Sequence, residues 1–495
     1  MNVLLVYPEV PDTFWSFKHA LRFIGKKASS QPLGLLTVAA MLPDNWEKRL
    51  VDINCEALSQ KDLMWADYVF ISAMSIQKKS ARNIIEQCND ADKTIVAGGP
   101  LFTAEYKDFD TVDHFVLNEA EITLVDFLND LENGTPKKMY TSAEFPDITE
   151  SPRPLWDLAD FDNYATMNIQ YSRGCPYNCD FCNITTLFGH KPRIKSVDQV
   201  INELDSLYNS GWRKGVFFVD DNFIGNKKTL KKDLLPALIN WRKDKKGISF
   251  TTEASINLAD DEELMKLMVD AGFDAVFIGI ETPEELSLTE CNKKQNLNRD
   301  LIECVRQIHR SGLQVRAGFI LGFDSDTPLS FSTLVNFIQN SGIVTAMVGL
   351  LQAPVDSLLY KRLKKEGRIL NNMSGDNADG STNIIPRMDI EALSKGYNFV
   401  VNQLYSPSLF SKRVKTFLKE YKAPKTKLKN DFRNIHEDIM AFFRSIYILG
   451  IKDKERLQYW KLFFWTLIRR PLKMNLAITF AIYGYHFRTI CENQA

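Results

Sequence analysis

Short apolar runs alternate with helical patterns along the first third of the chain. Apolar positions recur with a helical period in LGLLTVAAML, KKSARNIIEQC and ITLVDFLNDLENG, which predicts three helices. The predicted strands are NVLLVY, RLVDIN, DYVFISAM, TIVAGGP and HFVLNEA. Apolar strands that alternate with helices are typical of a parallel sheet covered on both faces. We therefore expect a doubly wound, Rossmann-like domain over residues 1–145, which binds its ligand beyond the carboxyl ends of the strands.

The middle of the chain repeats this alternation. Helical stretches such as VDQVINELDSLYNSG and DDEELMKLMVDAG end in glycine, which commonly terminates a helix. The predicted strands are MNIQYSRG, GVFFVDDN, ISFTTEAS, DAVFIGIET, QVRAGFILGF and TAMVGLLQ. Six β/α units predict a partial (β/α)6 barrel over residues 164–354, with the active site where strands end. Residues 146–163 hold three prolines and are expected to form an extended linker, so the protein belongs to the α/β class.

Long helical patterns predict a mostly helical C-terminal domain over residues 355–495, which we expect to cap the substrate or contact a membrane. Residues 457–487 combine aromatic and apolar side chains with Arg469, Arg470 and Lys473. Their apolar runs are shorter than the roughly 18 residues of a membrane span, but a basic aromatic segment can lie in the membrane interface. A pair of helices packed on the barrel is the alternative. The polar loop at residues 371–385 is expected to be a lid or an ordinary surface loop.

Composition narrows the function. Hydrophobic residues make up 45% of the 495 residues, which excludes a mainly disordered chain. With 61 Lys and Arg against 62 Asp and Glu, the net charge of −1 gives no positive field for nucleic acid. The first residues carry no basic leader, so we expect a cytoplasmic protein, with peripheral contact at the inner membrane face as a further option. Eight cysteines are too few for a disulfide scaffold.

Three of the eight cysteines lie within one short loop, in the segment YSRGCPYNCDFCNIT. Cys175, Cys179 and Cys182 directly follow the first predicted barrel strand, and closely spaced thiolates suit a soft metal centre. A [4Fe–4S] cluster held by three cysteines keeps one iron open for another ligand. Zinc would need a fourth ligand, for which only His190 lies nearby. Three buried free cysteines are the remaining alternative.

The CxxxCxxC loop, with the aromatic Phe181 before its last cysteine, resembles that of the radical S-adenosylmethionine superfamily. The resemblance implies that Cys175, Cys179 and Cys182 ligate the metal cluster and that its open iron binds S-adenosylmethionine. One electron, from a donor such as flavodoxin or ferredoxin, then cleaves S-adenosylmethionine to a 5′-deoxyadenosyl radical, which removes a substrate hydrogen. The cofactors supply this chemistry and the protein orients them.

Other strand ends of the barrel also resemble the superfamily. Asp220, Asp221 and Asn222 stand where it often has Gly-Gly-Glu for the methionine amino group, a departure in which carboxylates can do the same job. Glu253 and Ser255 occupy the place of ribose contacts, and the segment around Gly322 resembles the one that packs on the adenine. A solvated or salt-bridged strand end is the alternative for the glutamates. The expected cofactor contacts are Phe181, Asp220, Asp221, Glu253, Ser255, Glu281 and Gly322.

The N-terminal domain resembles the cobalamin-binding domain of many of these enzymes. The resemblance rests on a Gly-Gly-Pro turn after a strand and on an Asn-Glu-Ala-Glu segment similar to their Gly-Glu-x-Glu. No Asp-x-His-x-x-Gly motif surrounds His19, so we expect cobalamin without a histidine lower ligand and His19 in a loop or on the surface. The expected cobalamin contacts are Ser72, Met74, Gly98, Gly99, Pro100 and Glu119.

Three longer phrases, PEVPDTFWSFKHAL, FVDDNFIGNKK and LAITFAIYGYHF, resemble the hopanoid C-2 methylase branch of these enzymes. The branch implies two molecules of S-adenosylmethionine, one that methylates Co(I) cobalamin and one that yields the radical. The product would be a methylated sp³ carbon of a lipid or hydrophobic metabolite. Two alternatives stay open: a radical enzyme that uses cobalamin for a rearrangement or oxidation, and an iron–sulfur or cobalamin protein in electron transfer or sensing.

Overall fold

The computed structural model of the chain describes residues 1–370, 373–424 and 432–494, so residues 371 and 372 of the polar loop lie outside the described part. The elements of the first segment are β1 (Asn2–Tyr7), α1 (Lys18–Ile24), β2 (Ala28–Ser30), α2 (Leu33–Met41), β3 (Glu47–Asp52), α3 (Gln60–Trp65), β4 (Tyr68–Ser72), α4 (Lys78–Asp90), β5 (Thr94–Gly98), α5 (Pro100–Glu105), β6 (His114–Val116), α6 (Ala120–Glu132) and β7 (Met139–Tyr140).

Six of these strands form a parallel sheet in the order β3-β1-β4-β5-β6-β7. Its strands are buried on both faces, because Leu4 and Ile71 belong to one apolar cluster and Val3 and Phe70 to another on the opposite side. Burial on both faces explains why the strands read as continuous apolar runs rather than alternating ones. The predicted doubly wound architecture is confirmed.

The second segment forms the partial barrel. Its elements are β8 (Tyr164–Ile169), β9 (Ser172–Arg173), α7 (Ile184–Phe188), β10 (Arg193–Ile194), α8 (Val197–Asn209), β11 (Val216–Phe218), α9 (Lys227–Thr229), α10 (Leu235–Trp241), β12 (Phe250–Ala254), α11 (Glu262–Ala271), β13 (Phe273–Glu281), α12 (Glu285–Glu290), α13 (Leu301–Ser311), β14 (Gln314–Leu321), α14 (Pro328–Ser341) and β15 (Ala346–Leu350). All six predicted strands are present, in the parallel order β15-β14-β13-β12-β11-β8. Strands β9 and β10 pair antiparallel as a separate ribbon.

Strand β2 leaves the first segment and adds a seventh strand to the barrel sheet, beside β8. The side-chain amide of Gln31 fixes this junction, because it accepts from the Asn168 backbone N–H at 2.8 Å and donates to the Asn168 carbonyl at 2.9 Å. The amide thus continues the strand pairing where Pro32, which has no N–H, cannot. Strand β2 therefore connects the first segment to the barrel sheet. The sequence patterns did not predict this strand.

The C-terminal segment is helical, as expected, and it extends the core of the barrel. Leu393, Val400 and Phe417 belong to the same apolar cluster as the barrel strands, and Phe487 stacks on Phe14 with ring centroids 4.1 Å apart. The described helices of this segment are α15 (Leu358–Lys365), α16 (Ile390–Tyr405), α17 (Pro407–Glu420), α18 (Phe432–Ser445), α19 (Arg456–Arg469) and α20 (Met474–Gln494). No helix in the described part of the chain is long and apolar enough to cross a bilayer.

Candidate active site

The cysteine loop leaves β9 through Gly174, whose φ of 93° is a conformation that favours glycine. A Cβ at this position would lie 2.8 Å from the Gly189 carbonyl oxygen, so only glycine lets the two segments approach. The Cys175 backbone N–H donates to the same carbonyl at 3.3 Å. Cys175, Cys179 and Cys182 are all half-buried and form no disulfide. The loop is therefore folded into a tight turn that holds three free thiols.

Burial disfavours the thiolate form at two of the three sulfurs. It raises the pKa of Cys182 to about 12 and also raises that of Cys175, and the nearby charge of Cys179 acts in the same direction on both. A bound metal centre deprotonates such thiols. Among the described residues, no three His, Cys, Asp or Glu side chains converge as ligands of a single ion. A [4Fe–4S] cluster does not need such convergence, because it spreads three cysteines over three iron atoms.

A second loop, at residues 291–296, packs against the cysteine loop. The Asp180 N–H donates to the Cys291 carbonyl at 3.1 Å, and the side chain of Gln295 lies 3.7 Å from the Cys179 sulfur. Lys293 lies 5.7 Å from the centre of the Phe181 ring and pairs with Glu281 at 2.6 Å. The sequence reading missed Lys293 and Gln295. One sequence feature could have indicated these two residues: they lie in a βα connection at the carboxyl ends of the barrel strands, where barrel active sites are found.

The two aspartates after β11 support the backbone that leads into the cysteine loop. Fully buried Asp220 accepts from the backbone N–H of Tyr171 at 3.1 Å and from both the N–H and the hydroxyl of Ser172. Asp221 accepts from the Gly174 N–H at 3.1 Å. Burial raises the pKa of Asp220 to about 7 and that of Asp221 to about 6. Asp220 has the geometry of a positioning residue, while a cofactor contact of either group stays a prediction.

Glu253, on β12, has no hydrogen-bond or ion-pair partner among the described residues. Burial, together with the charges of Asp221 and Asp220, raises the pKa of Glu253 to about 8. Glu253 is half-buried, and a carboxyl with no protein partner is available to a ligand. Close by, Ser255 donates to Asn257 at 2.7 Å, and Asn257 donates to the hydroxyl of Tyr177 in the cysteine loop at 2.9 Å.

Glu281 and Gly322 end the next two strands. Glu281 adopts a left-handed φ of 65° and is buried, and its carboxylate pairs with Lys293. A Cβ on Gly279 would lie 2.3 Å from the Glu281 carboxylate, so that glycine makes room for the pair. Gly322 has a φ of 101° and donates its N–H to Asp326 at 2.8 Å. Glu281 is thus salt-bridged at the strand end, and its expected cofactor contact stays a prediction.

The carboxyl ends of β4 and β5 hold most of the residues expected to contact cobalamin. Ser72 is half-buried, Met74 is 43% exposed, and Gly99 with Pro100 begins α5. A Cβ on Gly99 would lie 2.5 Å from the Ser72 hydroxyl, and one on Gly98 would lie 2.7 Å from a strand carbonyl. Gly98 and Gly99 therefore allow the ends of the neighbouring strands to lie close to this turn. The open surface at Ser72 and Met74 is the part that fits a flat ligand.

Glu119, an expected cobalamin contact, forms ion pairs with two arginines of the β9–β10 ribbon. Its carboxylate pairs with Arg173 at 2.6 Å and with Arg193 at 2.7 Å, and Glu121 pairs with Arg173 at 2.8 Å. Burial alone would raise the pKa of Glu121, but the hydrogen bonds from Arg173 hold that pKa at about 2. These pairs join the first sheet to the β9–β10 ribbon. The carboxyl ends of both sheets therefore face the same region.

His19 lies in α1, where its ring nitrogen is 2.7 Å from Asp12. The ring is already engaged by a carboxylate of the same N-terminal stretch. The expected absence of a histidine ligand on the lower face of cobalamin stays a prediction.

Three family models match the chain: a B12 binding domain over residues 27–128, the radical SAM superfamily over residues 169–338 and a domain of unknown function (DUF4070) over residues 358–495. The first two models imply cobalamin, a [4Fe–4S] cluster and S-adenosylmethionine as cofactors. The residues present fit these groups. Three free thiols in one loop suit the cluster, Glu253 at the same end of the barrel is available to S-adenosylmethionine, and the surface at Ser72 and Met74 is open to cobalamin.

Relatives of similar sequence are methyltransferases by name. An uncharacterized methyltransferase of Synechocystis is 39% identical over 98% of this chain and 91% of its own length. The hopanoid C-2 methylase of Rhodopseudomonas palustris is 35% identical over 96% of this chain and 91% of its own length. The bacteriochlorophyllide d C-12(1)-methyltransferase of Chlorobaculum tepidum is 24% identical over 69% of this chain and 75% of its own.

Solved structures share the fold. The cobalamin-dependent radical enzyme OxsB, with aqua-cobalamin and S-adenosylmethionine bound, aligns with a TM-score of 0.61 over 100% of this chain and 79% of its own, at 16% identity. The radical methyltransferase TsrM from Kitasatospora setae, with cobalamin and a [4Fe–4S] cluster bound, gives 0.58 over 80% and 84%, also at 16% identity. The chain belongs to the cobalamin-binding radical S-adenosylmethionine methyltransferases, in the branch of the hopanoid C-2 methylase.

Proposed function

We propose that this protein methylates an unactivated sp³ carbon of a hydrophobic substrate of the hopanoid class. The observation that carries the proposal is the similarity to the hopanoid C-2 methylase, which extends through the C-terminal helices to 96% of the chain. The similarity to the bacteriochlorophyllide methyltransferase covers 69% of the chain. The C-terminal helices share one core with the barrel, which supports a part for them in shaping the substrate site.

The described residues support distinct roles at the reaction site. When bound, the three cofactors supply a radical that removes hydrogen and a methyl group that replaces it. Cys175, Cys179 and Cys182 hold the cluster, and Phe181 shields it. Glu253 and Ser255 offer polar groups to S-adenosylmethionine, Gly322 lets backbone approach it, and Asp220 with Asp221 fixes the cysteine loop.

On the cobalamin side, Ser72 and Met74 present the open edge of the first sheet, and the Gly98-Gly99-Pro100 turn keeps that edge tightly packed. Glu119 holds the ribbon that carries the cysteine loop against this edge. We also propose that no histidine coordinates the lower face of cobalamin, because His19 pairs with Asp12. A methyl carrier must cycle through Co(I), which a weak lower ligand favours.

A hydrophobic substrate also suggests where the protein meets a lipid bilayer. The expected segment, residues 457–487, divides in two. Helix α20 packs inward through Ala477, Phe480 and Phe487, whereas α19 buries only one face and exposes the other. We propose that the bilayer contact lies on α18, α19 and the residues around them, with the basic Arg469 and Arg470 beside it. Its exposed apolar side chains are Ile435, Ile439, Phe443, Tyr447, Ile451, Leu457, Phe464, Leu467, Ile468 and Leu472.

Vesicle sedimentation tests this contact. The variant Leu467→Asp/Ile468→Asp/Leu472→Asp should lose binding to vesicles that contain anionic phosphatidylglycerol, because three charged groups would have to enter the interface. The control Leu286→Asp/Leu329→Asp changes two leucines that are each 73% exposed on α12 and α14, and it should bind as the unmodified protein does. Equal binding of both variants would contradict the proposed contact.

The substrate class is tested by expression in a bacterium that makes hopanoids without a methyl group at C-2. Mass spectrometry of the lipids should show a methylated hopanoid when the intact protein is expressed, and none with the Cys182→Ala variant. If the intact protein accumulates with its cluster and hopanoids remain unmethylated, the hopanoid class is wrong, even though the family stands.

A further inference from the structure

Helix α15 lies directly against the cysteine loop. The Leu359 N–H donates to the carbonyl of Asp180 at 2.8 Å, and Asp180 is separated from Cys182 by Phe181 alone. On its buried side, α15 places Leu359 and Leu363 in the apolar cluster that Phe181 packs against. One hydrogen bond and two residues of backbone therefore connect this helix to a cysteine of the cluster loop.

The outer face of α15 is strongly basic in an otherwise balanced chain. From Asp356 to Arg368 the sequence has five Lys and Arg against two Asp and Glu, whereas the whole chain has a net charge of −1. Lys361, Lys364 and Lys365 are exposed and have no recorded ion pair with any described acidic residue. These three ammonium groups, here called the α15 lysines, leave their charge available to a partner.

The remaining basic side chains of this region brace the helix. Arg362 pairs with Asp324 at 3.2 Å, and Arg368 pairs with Asp324 and, at 3.0 Å, with Glu366. The hydroxyl of Ser357 accepts from the Tyr360 N–H at 3.1 Å and caps the start of the helix. The α15 lysines thus project from a helix that is held at its start and at its end, so little order has to be gained when a partner binds.

Two other parts of the protein also contact the cysteine loop, in which Pro176 and Asn178 are exposed. The first sheet closes one side through Glu119 and Glu121, which pair with Arg173. The loop at residues 291–296 closes another, where Asn292 donates to the Asn178 carbonyl at 2.6 Å. On a third side the loop contacts α15 itself, through the hydrogen bond from Leu359 to Asp180.

We propose that the α15 lysines form the docking surface for an acidic one-electron carrier protein that reduces the cluster. One electron passes from the reduced carrier to the oxidised cluster, and no bond is made or broken in that step. Complementary charge steers such encounters and raises their rate by about 10- to 1000-fold at low ionic strength. The proposal rests on the assignment of the cluster to Cys175, Cys179 and Cys182.

Stopped-flow reduction of the reconstituted full-length protein by reduced flavodoxin, which is acidic, tests the proposal. The variant Lys361→Glu/Lys364→Glu/Lys365→Glu should be reduced at least about tenfold more slowly at low salt, and its rate should no longer fall as salt is added. The control Lys61→Glu/Lys266→Glu reverses two exposed lysines on α3 and α11 and should behave as the unmodified protein does. Reduction by dithionite should be unchanged in both variants.

A triple variant with intact dithionite reduction and an unchanged rate with flavodoxin would overturn the docking surface while leaving the cluster assignment in place. If the triple glutamate variant holds less iron, Lys361→Gln/Lys364→Gln/Lys365→Gln takes its place, with a smaller loss of rate expected. Carbodiimide cross-linking gives a second readout. Cross-links from flavodoxin carboxylates should map to residues 361–365, and cross-links that map only elsewhere would refute the proposal.

Discussion

The guanidinium group of Arg173 lies 2.6 Å from the carboxylate of Glu119, across the boundary between the first sheet and the ribbon that leads into the cysteine loop. Only Gly174 separates Arg173 from Cys175. The side chains of the pair are 13% and 4% exposed, so the contact is shielded from solvent. A buried pair of this kind fixes position, and the loss of either partner leaves an uncompensated charge.

The neighbouring carboxylate makes this junction sensitive to acid. Arg173 lowers the pKa of Glu121 from 4.5 to about 2, so the ionised group stabilises the fold above its ordinary pKa. That stabilisation, about 3 kcal/mol for such a shift, is lost as the pH falls from 4.5 toward about 2. Thermal denaturation of the cofactor-free protein should show Glu121→Gln destabilised at neutral pH, with a smaller further loss in acid. Glu391→Gln, at a pair that is more than three-quarters exposed, should change neither property.

The three loop cysteines should be individually required for the cluster. Cys175→Ala, Cys179→Ala and Cys182→Ala should each abolish stable [4Fe–4S] incorporation and the formation of 5′-deoxyadenosine, because two thiolates cannot hold three irons. Iron and sulfide content and electron paramagnetic resonance report the first property. Cys304→Ala, at a half-buried thiol outside the loop, should keep both. Cleavage that survives in any loop variant would refute the assignment of the cluster.

Lys293 should raise the reduction potential of the cluster. Its side chain is 12% exposed, and its charge is felt by Cys182 and Cys175. Reduction adds a negative charge that the ammonium group stabilises. Lys293→Met should therefore lower the midpoint potential, measured without S-adenosylmethionine, by several tens of millivolts. Lys293→Met/Glu281→Gln removes both charges of the pair and should recover part of the loss. Equal potentials in all three proteins would show that Lys293 has no electrostatic role.

Glu253 should make the cofactor-free protein less stable as the pH rises. Burial raises its pKa from 4.5 to about 8, so the folded state retains a proton that the unfolded state releases above pH 4.5. Stability contributed by the neutral carboxyl is therefore lost between those two values, by at most about 1.4 kcal/mol per pH unit for one group. Glu253→Gln should flatten part of this decline in thermal midpoint, with Asp220 and Asp221 accounting for the rest. An unchanged slope would mean that Glu253 titrates normally.

The parts of this structure that the sequence predicts are those with a local signature. The strands of both sheets follow from apolar runs, and the cysteine loop follows from spacing within eight residues. Strand β2 could not be predicted, because it is three residues long with one apolar side chain and pairs with β8 far along the chain. The same limit applies to Glu119, whose partners Arg173 and Arg193 are chosen by the fold. Lys293 was missed because a lysine in a polar loop normally faces water.

The most direct test of the proposed reaction is an anaerobic assay with S-adenosylmethionine that carries a deuterated methyl group. The reconstituted protein, with cobalamin, a reductant and the proposed hopanoid substrate, should give a product that contains the intact labelled methyl on an sp³ carbon. One 5′-deoxyadenosine and one S-adenosylhomocysteine should accompany each methylated molecule. Formation of 5′-deoxyadenosine together with a substrate-derived product that lacks the label would contradict methylation and point to a rearrangement or oxidation instead.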